Sequence, residues 1–265
     1  EVRVVDEPVT VIVSQKGWVR AQKGWASAAA PAGGAAVVVE YSFKSGDALY
    51  GAFECRTVDT LLVFGTARDK GARVYTVPVA SLPGARGDGQ PVTTLIELES
   101  GTQVAHCFAG AAGASLLLAS TGGYGFIASV ENMSSRHRSG KAFVGLAEGE
   151  QLCRPSPVQA AQVPAATHIA CASAGGRILT FDIAELKALP KGGRGMMLID
   201  LEPKDTLAGA AAYTRSVRIE GIGRGGKERE ETLEIRTLNN ARGSRGRKGK
   251  AADLGFKPAS ILRVL

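Results

Sequence analysis

The residues best placed to do chemistry are cations set around glycine. Arg138-Ser139-Gly140-Lys141, Lys191-Gly192-Gly193-Arg194 and Arg247-Lys248-Gly249-Lys250 share one form, a glycine turn with a basic residue on either side. Arg86-Gly87-Asp88-Gly89 is a weaker copy. The loops fall near residues 86, 138, 191 and 247, in steps of 52, 53 and 56. Glycine allows a sharp turn and a close backbone approach. Cations neutralise phosphates, and exposed loop amides donate to phosphate oxygens. With no base-reading helix or zinc finger beside them, these loops suit contact with a nucleic-acid backbone rather than sequence reading. The candidate phosphate contacts are Arg86, Arg136, Arg138, Lys141, Lys187, Lys191, Arg194, Arg242, Arg245, Arg247, Lys248 and Lys250.

The charge distribution agrees. The chain carries a net +7, unevenly: residues 1–134 hold ten Lys/Arg against twelve Asp/Glu, and residues 135–265 hold twenty-two against thirteen. A basic half on a near-neutral body implies a polyanion partner, nucleic acid first. Other chemistries lack their residues. No Walker P-loop and no Gly-x-Ser-x-Gly elbow occurs. Gly221-Ile222-Gly223-Arg224-Gly225-Gly226 matches a dinucleotide fingerprint in letters only, because position 240 is Asn and the surroundings read as β; a turn between strands is expected. Arg86-Gly87-Asp88 is a chance adhesion tripeptide. His106, His137 and His168 lie far apart, and Cys55, Cys107, Cys153 and Cys171 form no Cys-x-x-Cys pair. Buried thiols in a reducing cytoplasm and no bound metal or cofactor are the expectation. No apolar run is long enough for a membrane span and no signal peptide is evident. The chain opens on Glu1, which reads as a piece of a longer protein.

The elements that carry these loops repeat. Leu116–Ser120, Gly122–Ile127, Arg138–Lys141 and Ala142–Val144 recur as Ile169–Ser173, Gly175–Leu179, Lys191–Arg194 and Met196–Leu198. Each unit is an apolar strand, a glycine turn, a second strand, a basic loop and a further strand. Fixed-period self-similarity in β-rich sequence signals blades. Units begin near residues 9, 61, 116, 169 and 212, the last less regular, and together form one domain over residues 1–265. Thr93–Leu98 is expected as the strand after the second loop. Ile183–Leu189 is expected as a turn or two of helix, and Glu228–Arg236 is charged enough to be helical while its Thr232–Ile235 stretch alternates like a strand. In the first unit, Ala26–Ala36 stands where a basic loop belongs and holds no cation. Four basic loops, one per blade, would form a belt around the rim of a ring.

The segment Glu7–Arg20, with its Ser14-Gln15-Lys16-Gly17-Trp18-Val19-Arg20 run, resembles the first blade of a known family. This is the β-pinwheel C-terminal domain family of the A subunits of bacterial topoisomerase IV and gyrase. Leu82–Gly87, Gly122–Phe126, Arg138–Ala142 and Ala174–Leu179 are similar to it as well. The resemblance covers nearly the whole chain and weakens after about residue 205. It implies an all-β disc of about five four-stranded blades with strands exchanged between neighbours. It implies binding and bending of a duplex DNA segment without sequence preference, steering segment capture for decatenation and supercoil relaxation. The glutamine-, arginine- and glycine-rich box of gyrase A is missing at Ala26–Ala36, which favours the topoisomerase IV branch over full chiral wrapping. The resemblance places strand cleavage upstream, at a tyrosine that follows arginine; none of Tyr41, Tyr50, Tyr75, Tyr124 and Tyr213 does so. It assigns ATP and magnesium to other domains or to the ATPase B subunit, paired with an A-subunit homodimer in the bacterial cytoplasm at the nucleoid. The rival reading is a propeller whose rim docks an acidic protein.

Overall fold

β-Branched and apolar runs pair across glycine turns. Pro8–Ser14 pairs antiparallel with Trp18–Lys23 around Gly17, whose φ is +84°. Four further hairpins follow: Thr60–Thr66 with Ala72–Pro78, Ser115–Ala119 with Tyr124–Ser129, His168–Ser173 with Arg177–Asp182, and Ser216–Gly223 with Glu228–Glu234. These hairpins are the centres of five sheets in a computed structural model that describes residues 3–29, 39–160 and 164–265.

Each hairpin gains an inner strand from its own unit. These are Leu49–Arg56, Gln103–Gly110, Ser156–Gln159, Leu207–Tyr213 and Phe256–Val264. The fourth, outer strand comes from the next unit along the chain. Gln90–Pro91 follows the second hairpin yet pairs with the first, as Trp18↔Pro91 and Val19↔Gln90. Lys141–Val144, Met196–Met197 and Lys250–Ala251 complete the second, third and fourth sheets in the same way. Blades with exchanged outer strands make the β-pinwheel. Among the described residues the fifth sheet has three strands, not four.

One residue makes the exchange possible. Gly89, Gly140, Gly195 and Gly249 each precede an outer strand and have φ between +63° and +86°. A Cβ on them would lie 2.1 Å from the Val19 oxygen, 2.4 Å from Val74, 2.2 Å from Gly125 and 2.6 Å from Ile178. Those carbonyls belong to the hairpin of the preceding blade. Only glycine offers both the left-handed backbone and the empty space.

The core lies between blades. Leu61, Val63, Tyr75 and Val77 pack towards Val9, Val11 and Val13 of the first blade. Their alternating neighbours Leu62, Phe64 and Val74 pack towards Leu116, Leu118 and Phe126 of the third. Strands buried on both faces read as unbroken apolar runs, as Thr60–Thr66 does. All four cysteines are buried. Burial pushes the Cys55, Cys107 and Cys153 thiols up to about 12, and Cys171 higher still, with nearby Asp59 and Cys153 adding to the shifts of Cys55 and Cys171 respectively.

Local expectations are adjusted at several points. Thr93–Leu98 is not a strand; pairing stops at Pro91, which lacks an N–H to extend the ladder, and Val92–Thr94 turns as a 3-10 helix. The last hairpin begins at Ser216 rather than near 212, because Leu207–Tyr213 belongs to the fourth blade. Ile183–Glu185 is a single 3-10 turn, and Glu228–Glu234 is a strand followed by the helix Ile235–Asn240. Gly221-Ile222-Gly223 ends a strand and opens a turn. Of Ala26–Ala36, residues 26–29 form a 3-10 turn and the remainder lies outside the described residues.

Near the inner strands, His106 Nδ1 lies 3.0 Å from the Tyr50 hydroxyl and its Nε2 lies 3.0 Å from the Leu152 oxygen. A neutral ring accepts at the first atom and donates at the second. Burial above all holds its pKa down, at about 4.

This packing is open to two measurements. Gly195→Ala should destabilise the protein by about 2–3 kcal/mol, whereas Gly84→Ala, which meets nothing nearby, should stay within ~0.5 kcal/mol in urea unfolding. His106 binds a proton less readily folded than unfolded, so its contribution is complete above about pH 6.5 and is lost as pH falls towards 4. The loss should be on the order of 3 kcal/mol, and His106→Gln should flatten the stability profile in that window.

Candidate nucleic-acid interface

Each basic loop leaves a short helical turn and runs to its glycine. In the second interblade loop, Ser129 caps Val130–Met133 by accepting from the Asn132 N–H at 3.1 Å. Lys141 then returns to donate from Nζ to the Asn132 oxygen at 2.6 Å. The fourth loop repeats this, with Lys250 Nζ donating to the Asn240 oxygen at 2.8 Å. Both lysines directly follow the register glycine. Met196 holds that place in the third loop.

The loops are linked to one another. The carbonyls of Arg138, Gly193 and Arg247 accept from the backbone N–H groups of Glu97, Gly145 and Asp200 at 3.1, 2.9 and 3.0 Å. Each of these three donors lies just past the outer strand that the preceding loop feeds. Each loop is therefore hydrogen-bonded to the tail of the one before it, along the outer edges of successive blades. This also corrects the alignment of the motif. Matching by charge sets Lys191 beside Arg138. Matching by glycine sets Gly193 beside Arg138 and Arg247, Arg194 beside Ser139 and Lys248, and Lys191 beside Arg136 and Arg245.

The twelve candidate cations divide into two groups. Arg86, Arg136, Arg138, Lys187, Lys191 and Arg247 are exposed, and among the described residues their side chains have no hydrogen-bond or ion-pair partner. The other six are engaged. Lys141 and Lys250 hold the helix carbonyls. Arg245 donates to the Glu185 and Met197 carbonyls at 2.9 and 2.7 Å, with its own N–H on the Glu185 carboxylate. Arg242 reaches the Asn239 side chain at 2.7 Å and Thr180 at 3.4 Å. Arg194 pairs with Glu150 at 2.7 Å and stacks 3.9 Å from the Tyr124 ring centroid. Lys248 lies 3.5 Å from Glu202. Exposed pairs of the last kind are weak and screened by salt.

Sequence reasoning missed the arginines that hold the loops from beneath. Arg73 donates to the Ser139 and Gly140 carbonyls at 2.9 and 3.1 Å. Arg177 donates to Gly249 at 3.3 Å, and Arg20, itself buried, to Gly87 at 3.3 Å and Ser42 at 2.8 Å. All three lie in strands that open just after a glycine turn: Arg20 after Gly17, Arg73 after Gly71 and Arg177 directly after Gly176. Their only signal was a cation near the start of a strand, outside the basic loops. No described helix is long and apolar enough to cross a membrane.

The architecture and the linked loops define a β-pinwheel of the kind found in the A subunits of type II topoisomerases. Residues 114–153 and 167–213 match the family described as DNA gyrase C-terminal domain, beta-propeller. The A subunit of DNA topoisomerase 4 from Neisseria gonorrhoeae is 33% identical over 246 residues, which is 91% of this chain and 30% of that protein. Its counterpart from Pseudomonas aeruginosa is 30% identical over 263 residues, 97% of this chain and 32% of that protein. The chain thus spans about a third of the length of these relatives. The solved E. coli ParC C-terminal domain superposes with a TM-score of 0.72 at 29% identity, covering 98% of both chains. A gyrase A C-terminal domain shares the fold, with a TM-score of 0.63 at 15% identity over 98% of this chain and 82% of its own. The chain belongs to the family of C-terminal domains of gyrase and topoisomerase IV A subunits.

The division of cations is testable by stability. Arg245→Ala removes two charge-assisted bonds, one to the exposed Glu185 carbonyl and one to the half-buried Met197 carbonyl, and should cost about 2 kcal/mol. Arg247→Ala, two residues on, should change stability by no more than ~0.5 kcal/mol. Thermal unfolding of the two variants measures the contrast.

Proposed function

We propose that this domain binds duplex DNA without sequence preference along the linked loops, and bends it. One observation carries this reading. Successive loops are joined edge to edge by backbone hydrogen bonds, and each junction presents at least one exposed cation with no protein partner among the described residues. Arg86, Arg136, Arg138, Lys187, Lys191 and Arg247 are the phosphate contacts. Arg194 and Lys248 contribute after exchanging a carboxylate for a phosphate. Lys141, Lys250, Arg242 and Arg245 hold the loop conformation. A curved series of contacts favours bent DNA, whose deformation costs roughly 1–6 kcal/mol for 20–30 base pairs and is offset by the added contacts.

Family membership supports the wider setting. In this reading the domain is part of the A subunit of a bacterial topoisomerase IV and steers DNA segment capture for decatenation and supercoil relaxation. Strand cleavage belongs to an upstream module. ATP hydrolysis with magnesium belongs to a B subunit in an A2B2 assembly in the cytoplasm, associated with the nucleoid. The domain itself performs no catalysis.

Binding should weaken steeply with salt through counterion release, with a slope near −0.9 per neutralised phosphate. Arg136→Ala with Arg138→Ala should reduce the slope by about two, uniformly across DNA sequences. Lys141→Ala should lower thermal stability and leave the slope nearly unchanged. A double variant with the wild-type slope, measured by fluorescence anisotropy of a labelled duplex, removes the belt from DNA binding. Undetectable duplex binding at low salt, with retention of an acidic protein partner, establishes the rival reading.

A further inference from the structure

The basic loops run out at the fifth blade. In the first four sheets the second strand of each hairpin is covered by an outer strand, and the loop that feeds it brings the cations. The fifth sheet departs from this twice. Its second hairpin strand, Glu228–Glu234, has no partner on its free edge among the described residues. Its charge is also reversed, with four glutamates against one arginine, a net of −3. The matching strands elsewhere are basic or neutral. Trp18–Lys23 holds two cations and no acid, Ala72–Pro78 one cation and no acid, and Tyr124–Ser129 and Arg177–Asp182 carry no net charge.

Strand alternation sorts these carboxylates by face. Leu233 is buried in one cluster with Ala170 and Ile178 of the fourth blade, so Arg229 and Glu231, which pair at 2.9 Å, lie on that side. Glu228, Glu230 and Glu234 lie on the other side and are exposed. Glu230 is 3.7 Å from Arg218, an exposed and therefore weak pair. Glu228 and Glu234 have no ion-pair partner among the described residues. Charged residues commonly blunt an open strand edge, and either sign serves that end. The sign here runs against the surrounding half of the chain, where twenty-two cations face thirteen carboxylates. The fourth basic loop, with its free Arg247, leaves this same strand through the helix Ile235–Asn240. A duplex lying on that loop and continuing round the rim would meet the carboxylates. DNA carries one negative charge per about 1.7 Å of its axis, and like charges set against each other repel.

We infer that the acidic outer edge of the fifth blade ends the DNA path, repelling the duplex beyond the fourth basic loop and so confining the bend to the four loops. Glu228 and Glu234, which no cation neutralises, are the residues that set this boundary. The inference rests on the duplex-binding reading and adds a limit to it.

The test compares the 265-residue chain with a variant carrying Glu228→Gln and Glu234→Gln. Both side chains are exposed, and glutamine keeps their size. Fluorescence anisotropy at low salt follows binding to labelled duplexes of about 15 and about 60 base pairs, lengths below and above the 20–30 base pairs of a typical bent site. The variant should bind the long duplex about threefold more tightly or better, a gain that shrinks as added salt screens the charges. The short duplex, which the loops alone accommodate, should bind the two proteins equally. A control pair, Asp69→Asn with Glu148→Gln, removes the same charge from a cavity at the hairpin turn of the second blade and should change neither affinity. The inference is overturned by unchanged affinity for the long duplex, by an equal gain on the short one, or by the same gain from the control pair. A wild-type chain that binds neither duplex sinks the duplex-binding reading and this boundary with it, whereas wild-type binding that ignores the two glutamines sinks the boundary alone.

Discussion

The structure depends on a steric permission granted four times. At Gly89, Gly140, Gly195 and Gly249 the chain passes so close to a carbonyl of the neighbouring blade that no side chain fits. That close approach carries the chain from its own hairpin to the outer edge of the previous sheet. Without it the outer strands would not form, and the loops would have no fixed place. The same glycine therefore sets both the architecture and the position of the cations. Arginines beneath the loops, Arg73 and Arg177, then fasten the carbonyls at the turn.

Cations in these loops serve two physical ends that the sequence writes with the same letters. Lys141 and Lys250 satisfy helix carbonyls that would otherwise lack donors. Arg138 and Arg247 share a backbone role through their carbonyls, which leaves their side chains free in solvent. Position relative to the register glycine separates the groups: the residue after it points back into the fold, and the second residue before it points out.

The hairpins were legible because Thr60–Thr66 and His168–Ser173 are unbroken apolar runs next to glycine turns, and burial on both faces demands that pattern. The exchange of strands came from resemblance alone, since Gln90–Pro91 and Met196–Met197 are too short to carry a propensity. The loops were legible as charged turns, but the charge alignment was off by two in the third loop, where Gly192, Gly193 and Gly195 offered competing matches. Only the 2.2 Å approach of Gly195 to the Gly125 carbonyl decides among them, and that contact is non-local.

Strand exchange also orders the birth of the molecule. Each blade is finished by a piece of chain made after the following hairpin: the first waits for Gln90, the second for Lys141, the third for Met196 and the fourth for Lys250. On a ribosome, every newly emerged sheet would keep a raw edge until its successor had also emerged. Maturation would thus proceed as an overlapping relay rather than by stacking of finished pieces, and the loss of a downstream unit would leave its upstream neighbour incomplete.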